Sequence, residues 1–275
     1  REFVKSTMGY YPETKFYFAH PKNPRMFEDI SNLKYAKIQP FMRGDRHFII
    51  GNERDLYINT WIGLNGKYVG PGVACSIDRH QLLWNDLMDM IGLKVRFDGS
   101  STNYIPRIDY TKLNPKYINR IETFINRRPM NRKVLLCNGN VQSNQAKNFD
   151  FEPVIKLLCE EFPKTDFITT SRVSFQFPNL YYTGNIIQSN DNFDLNEISY
   201  LSTFTPIIVG RSSGPFSFTQ VAQNYTDKSK TFLSFSYHKE GGHLVMKGKT
   251  KAKRYWSGVA DTQGVFKKIR SVIVE

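Results

Sequence analysis

The second half of the chain alternates short unbroken apolar runs with stretches whose apolar residues recur every three to four positions. "RKVLLCNGN" predicts a buried strand, Lys133 to Cys137, ending in a polar Asn-Gly-Asn turn. In "NFDFEPVIKLLCEEF", Phe151, Val154, Ile155, Leu158 and Phe162 fall at helical spacing, with Asn148 or Asp150 as cap. "TDFITTS" and "NLYYTGNII" predict two more strands. "DLNEISYLSTF" predicts a helix: Asp194 stands three residues before Glu197, and Ile198 and Leu201 give an apolar face. "PIIVG" is again a strand, "PFSFTQVAQ" a helix opening at Pro215, and "TFLSFSY" a further strand.

Continuous apolar strands separated by amphipathic helices imply a parallel sheet covered on both faces. Residues 131 to 240 therefore predict a doubly wound, Rossmann-like α/β domain. The first half repeats the pattern less regularly. "KFYFAH", "HFIIG" and "DLYINTWIG" are strand candidates. "HQLLWNDLMDMIG" places Leu83, Leu87 and Ile91 on one helix face and stops at Gly92. "NPKYINRIETFINRRP" gives another helix, with Ile118, Ile121 and Ile125 inward. The polar "NRRPMNRK" reads as a linker, so the expected domains are 1–129 and 130–275.

Apolar residues are 40 % and charged residues 23 % of 275, a globular composition. No run is long enough for a membrane-spanning helix, and the first residues carry no apolar signal core. Cys75, Cys137 and Cys159 follow no metal spacing and read as buried thiols, which suits a reducing cytoplasm. Lys and Arg number 38 against 25 Asp and Glu, and the net charge of +13 predicts attraction to polyanions or phosphorylated molecules. The densest basic run, "KGKTKAKRYW", spans Lys247 to Trp256. Its 247–254 part is either a solvated face or a peripheral contact with lipid headgroups.

In an open parallel sheet, ligands bind beyond the carboxyl ends of the strands. Three polar turns fall there. Arg211, Ser212, Ser213, Gly214 and Pro215 join a strand to a helix start, where free N–H groups and the helix dipole suit an anion. Arg211 would add a fixed charge, and Gly214 a close backbone approach. Asn138, Gly139 and Asn140 offer backbone and amide groups to a phosphate or sugar. Thr169, Thr170 and Ser171, in the turn "TTSR", offer hydroxyls to a base or ribose.

The stretch "DLNEISYLSTFTPIIVGRSSGPFSFTQVA" resembles the C-terminal nucleotide-sugar domain of GT-B glycosyltransferases, nearest to the heptosyltransferase type. That family carries an acidic-cap helix, an apolar strand, then V-G-P-D-T-G-P-x-H-x-A. Val209, Gly210, Gly214 and Pro215 match it, and Ser213 stands where the family has Thr. Ser212 replaces its Asp, Ser217 its His, and Arg211 its first Pro. The resemblance implies two Rossmann-like domains facing across a cleft, with the last ~20 residues either returning to the first domain or touching a membrane that bears a lipid-linked acceptor. It also implies transfer of a sugar from a nucleoside diphosphate to a glycan or lipid-linked glycan hydroxyl, with no metal or other cofactor. No D-x-D occurs in the chain.

An inverting transfer needs a base on the first domain. His20 follows a predicted strand, and Asp78 and His80 precede a helix; these are the candidates. "GLNGKYVGPG", with Gly63, follows the strand "INTWIG", so Trp61, Gly63 and Tyr68 are candidates for an acceptor-side wall. Two other functions stay open: a polyanion- or nucleic-acid-binding protein, and another nucleotide-dependent α/β enzyme. The chain has no P-loop, dinucleotide fingerprint, RRM, KH or zinc signature, and nucleic acid is not the expected partner.

Overall fold

The computed structural model describes residues 1–20, 23–37, 77–141, 146–191, 193–237 and 250–275, and the backbone of 49–51 and 56–58. The chain divides into two compact units, Arg1–Arg107 and Ile108–His243 with Thr250–Glu275. The sequence alone suggested a division after 129. Helix α3 (Pro115–Arg127) belongs instead to the second unit. Its Arg120 donates to the Ile187 and Gln188 carbonyls at 2.9 and 3.0 Å.

The first unit opens with α1 (Glu2–Tyr10). Strands β1 (Phe16–Ala19) and β2 (Leu33–Ala36) pair in parallel, and β3 (Ile49–Gly51) and β4 (Leu56–Ile58) pair antiparallel. Helix α2 (Ile77–Met90) buries Leu83, Leu87 and Met88 and is followed by Gly92 at φ +68°, where only glycine is free of strain. The Phe3 ring packs against Trp84, Phe97 and Tyr104. Asn85, on α2, brackets the Phe97 backbone with bonds of 2.8 and 3.2 Å.

The second unit is a mixed α/β, Rossmann-like fold. Its strands are β5 (Arg132–Cys137), β6 (Thr165–Thr169), β7 (Leu180–Tyr182), β8 (Ile207–Arg211), β9 (Thr231–Phe235) and β10 (Lys253–Ser257). They form one all-parallel sheet in the order β10-β9-β8-β5-β6-β7. The order reverses at β5 and β8, the switch point of a doubly wound sheet. Helices α4 (Glu152–Glu161) and α9 (Thr262–Val274) share one core with Val134, Leu136, Phe167, Val209, Leu233 and Phe235. Val265, Ile269, Val272 and Ile273 of α9 lie in that core, so the C-terminal helix stays with the second unit rather than returning to the first. No helix among the described residues is long and apolar enough to cross a membrane.

Three elements depart from expectation. "NLYYTGNII" yields only the short β7, because the chain turns into α5 (Thr183–Ile187). The single helix expected after Pro215 is two, α7 (Gly214–Thr219) and α8 (Ala222–Tyr225). Side chains take over the bonds lost at the break: Asn224 donates to Thr219 O at 2.8 Å, and Tyr225 to the Gln220 side chain at 2.6 Å. The basic run becomes an edge strand, β10. Lys253 starts it and bonds Glu275 at 2.8 Å, and Arg254 lies over the Tyr225 ring. The described residues of the 247–254 stretch therefore lie at the amino edge of the sheet, opposite the turns after β5, β6 and β8; 247–249 lie outside the described residues.

Candidate functional site

The turns after β5, β6 and β8 meet at one carboxyl edge, because these strands are neighbours in register. Leu136 pairs with Thr169 on one side and with Val209 on the other, and Cys137 with Gly210. Gly210 is sterically required. A Cβ there would lie 2.6 Å from Cys137 Cβ and 3.0 Å from the Phe216 ring, so its absence lets α7 sit directly on the sheet.

The turns are bonded to one another. Asn138 accepts from Ser171 N at 2.8 Å and donates to Ser171 O at 3.1 Å. Thr170 N donates to Leu136 O at 3.0 Å. Gly139 faces Ser171 Oγ, which would stand 3.0 Å from a Cβ on it. The Asn138 amide, expected to meet a phosphate or sugar, is thus committed to the neighbouring turn.

Arg211 is committed as well. Expected to face a ligand, it is 1 % exposed. Strand alternation puts it on the same face as Ile207 and Val209. Its guanidinium lies 4.7 Å from the Phe149 ring centroid and 4.8 Å from that of Phe151. Nη1 donates to Gly139 O at 3.0 Å and to Asn140 Oδ1 at 2.7 Å, and Nη2 donates to Phe149 O. Burial pushes the group down to about 10, opposed by the Asp150 charge, so it stays charged at neutral pH. Arg211 is a tie between β8 and the segment after β5.

Other groups at this edge remain unspent. Ser213 is buried at the N-cap of α7, yet its side chain makes no cap bond and its Oγ has no partner. Thr170 Oγ1 is buried and unpartnered, and so is Thr183 Oγ1 after β7. Gly214 is exposed, and a Cβ on it would meet open space. Ser212 and Pro215 are half-buried beside it. Thr169 is buried, and its hydroxyl donates to Tyr181 O at 3.2 Å. Glu197, read as part of a helix start, is fully buried in the first turn of α6 (Leu195–Ser202).

The candidate bases lie in the first unit. His20 follows β1, its ring stacked 5.3 Å from Phe18 and its carbonyl accepting from Tyr35 OH at 2.6 Å. Asp78 and His80 sit in the first turn of α2. Trp61, Gly63 and Tyr68 lie outside the described residues. Residue patterns alone missed Arg172, Tyr182, Phe149 and Phe151. Arg172 closes "TTSR", but the ring it meets is on another strand.

No protein-family model matches the chain, and no curated protein matches it. Among solved structures it is similar to the E. coli ADP-heptose LPS heptosyltransferase II, at 10 % identity and a TM-score of 0.39, over 62 % of this chain and 54 % of that one. The chain spans about half the length of that structure. The architecture given above rests on its own strand order and register.

Proposed function

We propose that the chain is a glycosyltransferase moving a sugar from a nucleoside-diphosphate donor to a hydroxyl of a glycan or lipid-linked glycan, without a bound cation. One observation carries this: three polar turns meet at the switch point of a parallel sheet, with the Ser213 and Thr170 hydroxyls buried there and unpaired. A polar group buried without a partner costs free energy, and a ligand that pairs it recovers that cost.

In this reading the acceptor oxygen attacks the anomeric carbon. The bond from that carbon to the diphosphate breaks, and the diphosphate leaves with the electron pair. The Gly214 N–H and the Ser213 hydroxyl stabilise the developing charge. The acceptor's proton passes to a general base, for which His20, Asp78 and His80 are the candidates. The net charge of +13 favours capture of an anionic donor.

The test is thermal melting of the full chain with ADP, GDP, UDP and CDP in the presence of EDTA, with a DNA oligonucleotide as control. At least one nucleotide should raise the Tm and the oligonucleotide should not. The reverse outcome would discard the transferase in favour of polyanion binding. Of His20→Ala, Asp78→Asn and His80→Ala, one should abolish transfer from the matching nucleotide sugar while leaving the nucleotide Kd unchanged.

A further inference from the structure

Arg172 and Tyr182 stand at the carboxyl ends of β6 and β7. The Arg172 guanidinium carbon lies 5.2 Å from the centroid of the Tyr182 ring. The ring edge lies in the space that Gly184 leaves open: a Cβ there would sit 2.4 Å from its Cε1 and 2.6 Å from its Cζ. The arginine is exposed, while its backbone is fixed on both flanks. Asn138 brackets Ser171 with two bonds, and Glu152 accepts from Ser174 N at 3.0 Å and from its hydroxyl. Arg172 thus stands exposed on a turn whose backbone is tied on both sides.

A guanidinium lying over a phenol ring sets two planar groups side by side at this edge. Arginine stacks on flat π-systems in a way lysine does not. Neighbouring strands lie about 4.8 Å apart, so β6 is about 10 Å and β7 about 14 Å from the β8 turn. A nucleotide whose diphosphate rests at Ser213 would reach this pair with its base. The unpartnered hydroxyls of Thr170 and Thr183 lie at the ends of the same two strands.

We infer that the Arg172–Tyr182 stack is the nucleobase platform of the donor, holding the base by its flat face and not by reading its edge. The inference rests on the proposed nucleotide site. Stacking of this kind tolerates different bases, so the platform supplies affinity more than base identity.

Isothermal titration of the full chain with ADP, GDP, UDP and CDP tests it. Arg172→Ala should weaken every nucleotide that binds the wild type by about 10-fold. Arg172→Lys should be as weak as Arg172→Ala, because it keeps the charge and loses the plane. Melting temperatures should stay close to the wild type, since Arg172 is exposed. Tyr182→Leu should reproduce the loss. If the wild type binds a nucleotide and Arg172→Ala binds it equally well, the platform is refuted and the site at Ser213 stands. Rescue by Arg172→Lys would make the residue a phosphate contact and overturn the stacking. If the wild type binds no nucleoside diphosphate, the donor site falls and the platform with it.

Discussion

The guanidinium of Arg211 donates to the side-chain oxygen of Asn140 at 2.7 Å, and through that bond β8 holds the segment that follows β5. The same group caps the Gly139 and Phe149 carbonyls between two phenylalanine rings. A planar fork is needed to serve three acceptors while filling the space between two rings. Arg211→Lys should therefore fail to substitute, and both Arg211→Lys and Arg211→Met should lose about 2–3 kcal/mol of stability. Urea denaturation checks this. A loss under about 0.5 kcal/mol, typical of an exposed position, would show that the tie contributes little.

Gly210 makes a separate prediction about packing. A methyl group there meets Cys137 Cβ at 2.6 Å and the Cys137 carbonyl at 3.1 Å, both on the paired strand. Strand backbone does not retreat cheaply, so Gly210→Ala should cost about 1–3 kcal/mol. Cys137→Gly removes the atom in closest conflict. In a double-mutant cycle, the Gly210→Ala penalty should be smaller in the Cys137→Gly background. Additive penalties would mean that the conflict is relieved elsewhere.

The pattern of residues made β5, β6, β8 and β9 legible because their apolar runs are unbroken, and α4 because its apolar spacing is regular. It concealed β10, where Lys253, Arg254, Tyr255 and Trp256 look like a solvated basic segment; pairing with β9 supplies what the composition lacks. It concealed the break between α7 and α8, which Asn224 and Gln220 create through contacts seen only in three dimensions. The convergence of the three turns was legible, since strand ends of a parallel sheet share an edge. The direction of Arg211 was readable in part: alternation from Ile207 through Val209 sends it inward. What makes a buried cation tolerable there, the rings of Phe149 and Phe151, comes from a distant segment that no local pattern connects to it.

Lys230 links stability to pH. It is buried and donates to the carbonyls of Ser202, Thr203 and Thr205 at 2.9, 2.6 and 2.9 Å, closing the end of α6. Burial pushes its ammonium from the ordinary 10.5 down to about 8, opposed by the Asp227 charge. Between those values the unfolded chain holds more protons than the folded one, so this group makes stability rise with pH. Below about 8 both states are protonated and the burial cost applies in full. Lys230→Met leaves three carbonyls without their donor and should be less stable at every pH. The gap from the wild type should widen as pH rises from about 8 to 10.5. Urea midpoints of the two proteins across that range check the sign, and a narrowing gap would contradict it.

Ser213 and Thr170 separate a ligand-binding role from a structural one. An N-cap serine normally accepts a bond from its helix, and losing that bond costs about 1 kcal/mol. Ser213 makes no such bond, and its hydroxyl is buried without a partner. Ser213→Ala should therefore leave the unliganded protein as stable as before, or more stable by up to about 1–2 kcal/mol. Thr170→Val keeps the shape and removes a second orphaned hydroxyl, with the same expectation. If those hydroxyls serve the donor, each variant should weaken nucleoside-diphosphate binding, by about 10-fold for a lost bond to a charged group. Stability held or gained together with binding lost is a combination that a purely structural hydroxyl cannot produce. Ordinary destabilisation with unchanged affinity would place both groups in the scaffold and remove them from the site.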